Sequence, residues 1–141
     1  MSVGEHTRRN LATVDPSASI REAARLMEIQ KAGCVVVVSG SGQPLGVMTD
    51  RDIAMRVLRI GLDPDETTVG SVIDRELKTV TESTPLTKAM RRMRTEGVRR
   101  LPVVDADGKL VGIFDWIDAV GIVSSEIQHA ARIAGAQSSE A

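Results

Sequence analysis

The sequence predicts an α/β (α+β) fold of two tandem βαββα units, packed sheet to sheet about a pseudo-twofold axis. Three observations predict it. The 141-residue chain matches itself without a gap at the 66-residue offset that separates Gly46 from Gly112. Each half alternates one helix-period segment with two short β-type runs joined by a Gly-rich turn. Each copy holds only about 60 residues, too few to bury an adequate core alone, so the two are expected to pack on each other.

The offset aligns Val3 and Gly4 with Val69 and Gly70. It aligns Leu11, Thr13 and Val14 with Leu77, Thr79 and Val80, and Ala23, Arg25 and Met27 with Ala89, Arg91 and Met93. Gly42, Gly46 and Asp52 fall on Gly108, Gly112 and Asp118. The expected organisation is a first repeat over 3–62, a linker over 63–68, a second repeat over 69–127 and a tail over 128–141. The linker is signalled by the Gly61-Leu62-Asp63-Pro64-Asp65 stretch.

In the first copy Ser19 with Glu22 makes a capping-box start. Ile20, Ala23, Ala24 and Met27 recur at helical spacing, which predicts a helix over about 19–31, ended by Gly33. Val35, Val36, Val37 and Val38 read as a strand buried on both faces. Residues 39–42 form a turn, and 45–48 a second short strand. Thr49 or Asp50 then caps a helix carrying Ile53, Ala54, Val57 and Leu58. In the second copy Thr84-Pro85 opens a helix whose apolar face is Leu86, Ala89, Met90 and Met93, with Gly97 at its end. Residues 101–104 and 110–114 are strands around the 105–109 hairpin turn. Asp115 caps a last helix from Trp116 to past Gln128, and 134–141 are expected to fray.

Composition excludes several functions. The net charge is −1, so no global field steers the chain to nucleic acid or membrane. Phe114 and Trp116 are its sole aromatic residues, too few for base-stacking platforms. Arg91, Arg92 and Arg94 read as a solvated helix face. The single cysteine, Cys34, excludes an intrachain disulfide, fits a reducing cytoplasm and sits among apolar neighbours as an inert thiol. His6 and His129 have no ligand partners at metal-site spacing. The longest apolar run is far too short to span a bilayer.

The two phrases Gly46-Val47-Met48-Thr49-Asp50-Arg51-Asp52 and Gly97-Val98-Arg99-Arg100-Leu101-Pro102-Val103-Val104-Asp105 resemble the CBS domain, named after cystathionine β-synthase. Two such domains in tandem make a Bateman module. The resemblance covers about Val3 to Ile127 and suggests a stand-alone CBS pair. It implies two clefts between the repeats for adenosine-containing ligands, with the aspartate of each Gly-h-x-Thr/Ser-x-x-Asp motif on the ribose hydroxyls. The Thr/Ser hydroxyl and nearby basic groups would hold phosphate.

The residues fit that chemistry. Gly46 permits close backbone approach. Thr49 stands where a helix N-terminus favours an anion, and its hydroxyl can donate to phosphate. Arg51 supplies a bidentate cation, and Asp52 can accept both hydrogens of a diol. Helix caps favour the same residue types, so Thr49, Asp50 and Asp52 also read simply as caps. Ile73, Lys78 and Val98 are expected to line this cleft from the other repeat. The second motif keeps Asp118 but has Asp115 and Ile117 where Thr49 and Arg51 stand. A carboxylate there repels phosphate, and Arg99 and Arg100 are expected to compensate in part. Thr7, Ala12 and Ala32 are expected on the far side of the Asp118 cleft.

The expected function is therefore a regulatory, non-enzymatic module that senses AMP, ADP or ATP, with NADH or S-adenosylmethionine possible. It would dimerise through its helices, in particular the one opening at Trp116 and Ile117, and signal to a regulated partner protein. The alternative is a ligand-free dimeric scaffold with degenerate clefts. No catalytic residue, required cofactor or metal is expected.

Overall fold

Each half of the chain folds into its own three-stranded sheet, and the two sheets are built alike. The computed structural model describes residues 1–140 apart from Arg75, with the backbone alone for 137–140. In the first half, β1 (Thr13–Val14), α1 (Ile20–Gln30), β2 (Cys34–Val38) and β3 (Pro44–Thr49) precede α2 (Asp50–Ile53), which continues into a π-helical turn, Ala54–Leu58. In the second, α3 (Val69–Val72), β4 (Val80–Thr81), α4 (Leu86–Glu96), β5 (Arg100–Val104) and β6 (Leu110–Asp115) lead into α5 (Trp116–Glu140). A 3-10 turn, Val3–His6, opens the chain.

Within each sheet the first strand runs parallel to the second, and the second antiparallel to the third. The repeat extends to irregularities: the register slips between Val37 and Val38, and again between Val103 and Val104. Val35, Val36 and Val37 are all buried, as expected of a strand covered on both faces. The two hairpins turn on Gly42 and Gly108, both at positive φ, and they touch, with the Leu110 amide donating to the Gly42 carbonyl at 2.9 Å.

The halves are joined by an exchange of arms. The Val3 and Gly4 amides donate to Thr84 and Glu82 of the second half, both at 2.9 Å. The Val69 and Gly70 amides donate to Ala18 and Pro16 of the first half, at 2.8 and 2.9 Å. Val3 is buried in the core of the second repeat, with Leu86, Leu101 and Phe114. Val69 is buried in the core of the first, with Ile20, Val35 and Met48. Full burial of one valine contributes roughly 1.5–3 kcal/mol. Glycine is required at these crossings. A Cβ on Gly4 would lie 2.9 Å from the Glu82 carbonyl oxygen, and one on Gly70 2.8 Å from that of Pro16.

Four local expectations need correction. Helix α1 is closed by Lys31, at φ 51°, and not by Gly33. Lys31 is the position that the offset aligns with Gly97, which closes α4 at φ 68°. The helix after Thr49 is a single turn followed by the π turn, and Leu58 points outward while Val57 is buried. The C-terminal segment, expected to fray from residue 134, is helical: α5 continues to Glu140, through the strong helix formers Ala130, Ala131, Ala134 and Ala136. Ala141 lies outside the described residues. His6 is half-buried, and its Nε2 is enclosed without a hydrogen-bond partner among the described residues, where a surface residue is expected.

Helix α5 leaves Trp116, Ile117, Val120, Val123 and Ile127 exposed. An apolar groove of about 840 Å3 runs between α4 and α5, lined by Met90, Met93, Val98, Trp116 and Val123 among others. No helix among the described residues is long and apolar enough to cross a membrane. The arm exchange makes a direct prediction. A Cβ on Gly112 would lie 2.1 Å from Thr7 Cγ2 and 2.6 Å from the Arg8 carbonyl oxygen, whereas one on Gly121 meets nothing within 4 Å. In urea titrations, Gly112→Ala should lose about 1–3 kcal/mol of unfolding free energy. Gly121→Ala, in mid-helix, should gain roughly 0.5–1 kcal/mol. Equal effects at the two positions would contradict the packing described.

Candidate nucleotide cleft

The end of β3 and the start of α2 bring Thr49, Asp50, Arg51 and Asp52 to one wall of a polar cavity of about 790 Å3. The opposite wall comes from the second repeat: Gly97, Val98, Arg99 and Arg100, which close α4 and open β5. Two motifs far apart in sequence thus face each other between the repeats. Val47 and Arg56 complete the lining.

Thr49 and Asp52 form a reciprocal capping box. The Asp52 amide donates to Thr49 Oγ1 at 3.1 Å, and the Thr49 amide donates to Asp52 Oδ2 at 2.8 Å. The cap reading of these residues is thus realised. It leaves chemistry to spare: the Thr49 hydroxyl hydrogen remains a donor, and Asp52 Oδ1 retains its acceptor sites, with Arg56 Nε at 3.8 Å. Arg56 Nη1 donates to the Val72 carbonyl at 2.9 Å, which ties the π turn to the second arm. Helix α2 spans four residues, so cations and not a helix terminus supply the positive field.

Four guanidiniums, of Arg51, Arg56, Arg99 and Arg100, line this cavity against the carboxylates of Asp50 and Asp52. Among the described residues no carboxylate pairs with Arg51 or Arg99. Arg99 lies 6.0 Å from the centroid of the Trp116 ring, within cation–π range. Arg100 Nε donates to Asp115 Oδ2 at 3.0 Å. Asp115 is buried, and its Oδ1 accepts from the Ile117 amide at 3.1 Å, which makes it the cap of α5 as expected.

Several expected positions fall elsewhere. Arg99 and Arg100 line the cleft of Thr49 and Asp52, and Arg100 at the same time pairs with Asp115, the carboxylate of the second motif. The reason is the crossing of strand starts, since Arg100 Nη2 lies 3.4 Å from where a Cβ on Gly33 would stand, at the start of β2. Ile73 packs against Gly46, where a Cβ would meet its Cδ1 at 2.9 Å, so this pair closes the sheet edge and does not line the cavity. Lys78 pairs with Glu96 at 3.7 Å, away from it. Ala12 is packed into the first core, Thr7 lies against Gly112 on β6, and Asp118 borders a separate cavity. That separate cavity, of about 440 Å3, is lined by Met1, His6, Ile117 and Ile122 beside Asp118. Arg56 and Arg8, which contacts Asp118, were not singled out by motif. Arg8 had one visible sign, as the offset sets it against Asp74 and so breaks the repeat.

Cys34 sits at the same crossing, and burial pushes its thiol up, partly offset by Arg100. No cluster of three or more metal-ligating side chains occurs among the described residues.

Comparison with known proteins agrees with this architecture. The CBS domain model matches residues 3–59 and 69–125. The CBS domain-containing protein YhcV of Bacillus subtilis is 39% identical over 126 residues, which cover 89% of this chain and 88% of that protein. A protein of Methanopyrus kandleri is 35% identical over 86% of this chain, but the matched segment spans 62% of that relative's length. Among solved structures, CBSX2 in complex with AMP is 31% identical, covers 90% of this chain and 98% of that one, and superposes with a TM-score of 0.73. A CBS domain protein of Pyrobaculum aerophilum, complexed with AMP, is 27% identical and covers 84% and 89% of the two chains, with a TM-score of 0.76. The two half-chains that exchange arms around the Thr49 and Asp52 cleft are CBS domains, and the protein belongs to the CBS-domain family as a tandem pair.

Proposed function

We propose that this CBS pair is a regulatory module that binds an adenine nucleotide, AMP, ADP or ATP, in the cleft of Thr49 and Asp52. The observation that carries this reading is the charge inventory of that cleft. Four guanidiniums face two carboxylates, and two of the four have no carboxylate partner among the described residues. Such a surplus suits phosphate, which arginine grips through paired hydrogen bonds. The volume suits a nucleotide, since ligand sites commonly measure about 300–1,000 Å3. Two related pairs of known structure are complexed with AMP.

The roles follow from position. Arg51, Arg99 and Arg100 hold phosphate together with the Thr49 hydroxyl. Asp52 Oδ1 accepts from the ribose, while Oδ2 keeps its cap. Val98 and Val47 offer apolar surface to the base. Gly46, packed on Ile73, sets the strand edge. S-adenosylmethionine, a cation at sulfur, fits this surplus less well than a mononucleotide. We infer that the cleft binds and does not catalyse, because Thr49 and Asp52 are held in a cap and no lining side chain is placed as a nucleophile beside a base. The repeat boundaries at 62 and 69, the linker between them and a reducing, cytoplasmic setting complete the reading.

A second reading, a ligand-free scaffold, is favoured by one observation: the capping box satisfies Thr49 and Asp52 within the chain. Calorimetric titration separates the two. AMP, ADP or ATP should bind with micromolar affinity. Arg51→Ala should weaken binding by about ten- to a hundred-fold, the usual worth of a charge-assisted hydrogen bond. Asp52→Asn, which keeps a cap acceptor, should weaken it similarly. No heat with any of the three, in folded protein, selects the scaffold.

We further propose that the exposed apolar face of α5 is covered by a second copy of the chain, which leaves the nucleotide cleft open to a regulated partner protein. Charged residues are normally depleted from such cores, and Trp116, Val120, Val123 and Ile127 supply an apolar stripe. Light scattering should give a dimer mass for the wild type and a monomer mass for Val120→Glu. A monomeric wild type at micromolar concentration contradicts this.

A further inference from the structure

The Thr49–Asp52 and Asp115–Asp118 motifs occupy equivalent places in the repeat, yet the charges around them are arranged in opposite ways. Around the first, guanidiniums outnumber carboxylates. At the second motif, Asp115 and Asp118 each already have a guanidinium: Arg100 Nε with Asp115 Oδ2 at 3.0 Å, and Arg8 Nη2 with Asp118 Oδ1 at 2.7 Å. Arg8 comes from the N-terminal arm. Its backbone is fixed by a reciprocal pair of hydrogen bonds with Ile113, both at 3.0 Å. Gly112, having no side chain, lets the arm lie flat on β6 at Thr7 and Arg8. The backbone that carries the guanidinium is therefore held beside Asp118 by paired main chain. The offset aligns Arg8 with Asp74, so the first cleft has no counterpart to it.

We propose that Arg8 is a built-in occupant of the second cleft, which closes Asp118 to a ribose diol and restricts the protein to one nucleotide per chain. The inference rests on the nucleotide reading of the first cleft and adds what decides between the two. A vicinal diol needs an accessible carboxylate oxygen for its O–H donors. The guanidinium N–H donors compete for the same acceptor. Asp118 Oδ2 is enclosed and has no hydrogen-bond partner among the described residues, so with Oδ1 held by Arg8 neither carboxylate oxygen is open to an incoming diol. Hydrogen bonding to Asp118 in turn raises the Arg8 pKa, which keeps the blocking group charged at any physiological pH.

The test uses methyl NMR of the full chain, because each cavity has its own reporters: Ile117 and Ile122 for the Asp118 cavity, Val47 and Val98 for the other. Adenosine is the probe for the second cleft, since it carries the diol without a phosphate that local carboxylates would repel. In the wild type, millimolar adenosine should leave Ile117 and Ile122 unmoved. In Arg8→Gln, which keeps the stem and the paired backbone, both methyls should shift saturably, with a midpoint at least about ten-fold below any wild-type response. Arg8→Lys, which keeps a cation, should stay closed. A wild-type response equal to that of Arg8→Gln overturns the proposal, and so does a folded Arg8→Gln that stays silent. Should Arg8→Gln lose its dispersed spectrum, Arg8→Met repeats the test. Failure of the nucleotide reading shows separately, as Val47 and Val98 methyls that ignore AMP in the wild type.

Discussion

Each repeat lends its first residues to the core of the other, and the rest of the molecule depends on that exchange. Val3 fills the second core and Val69 the first. Neither repeat then has a complete core by itself, which is how units of about 60 residues escape the surface-to-volume limit on small domains. The exchange works through backbone approaching backbone. Gly4 and Gly70 lie against Glu82 and Pro16, and Gly112 and Gly46 admit the continuations of the arms beside β6 and β3. These four glycines are two pairs at one offset. The packing gives a physical reason for each, where the sequence alone presents only matching letters.

The crossing also creates the clefts. Because each arm runs over the other repeat, the ends of β3 and β6 face strand starts from the opposite half. That places Arg99 and Arg100 beside Thr49 and Asp52, and places Arg8 beside Asp118. The same geometry thus concentrates unpaired cations on one side and closed ion pairs on the other. A few arginines, at positions where the repeat is broken, separate two sites that share a backbone plan.

Much of this was legible in the chain. The duplication, the order of elements, the buried valine run and the Thr49 cap all follow from periodicity, turn residues and the offset. The misses have local causes. Gly33 was read as a helix stop because glycine commonly is one, yet Lys31 takes the left-handed position that the offset already marked through Gly97. The small residues at the end of α5 suggest a loose tail, although alanine favours helix. The site was legible for side chains on their own motif, Thr49, Arg51 and Asp52. It was less so for residues brought from the other repeat, because which wall Arg99, Arg100, Ile73 or Lys78 faces is set by the crossing angle of the halves. No pattern within one repeat encodes that angle.

The account stands or falls on where a nucleotide sits. A crystal structure of the protein grown with AMP tests this most directly. The account predicts one AMP per chain, its phosphate among Arg51, Arg99 and Arg100 and its ribose at Asp52, with the Arg8–Asp118 pair intact. AMP seated at Asp118 with Arg8 displaced, or in the groove between α4 and α5, would contradict it.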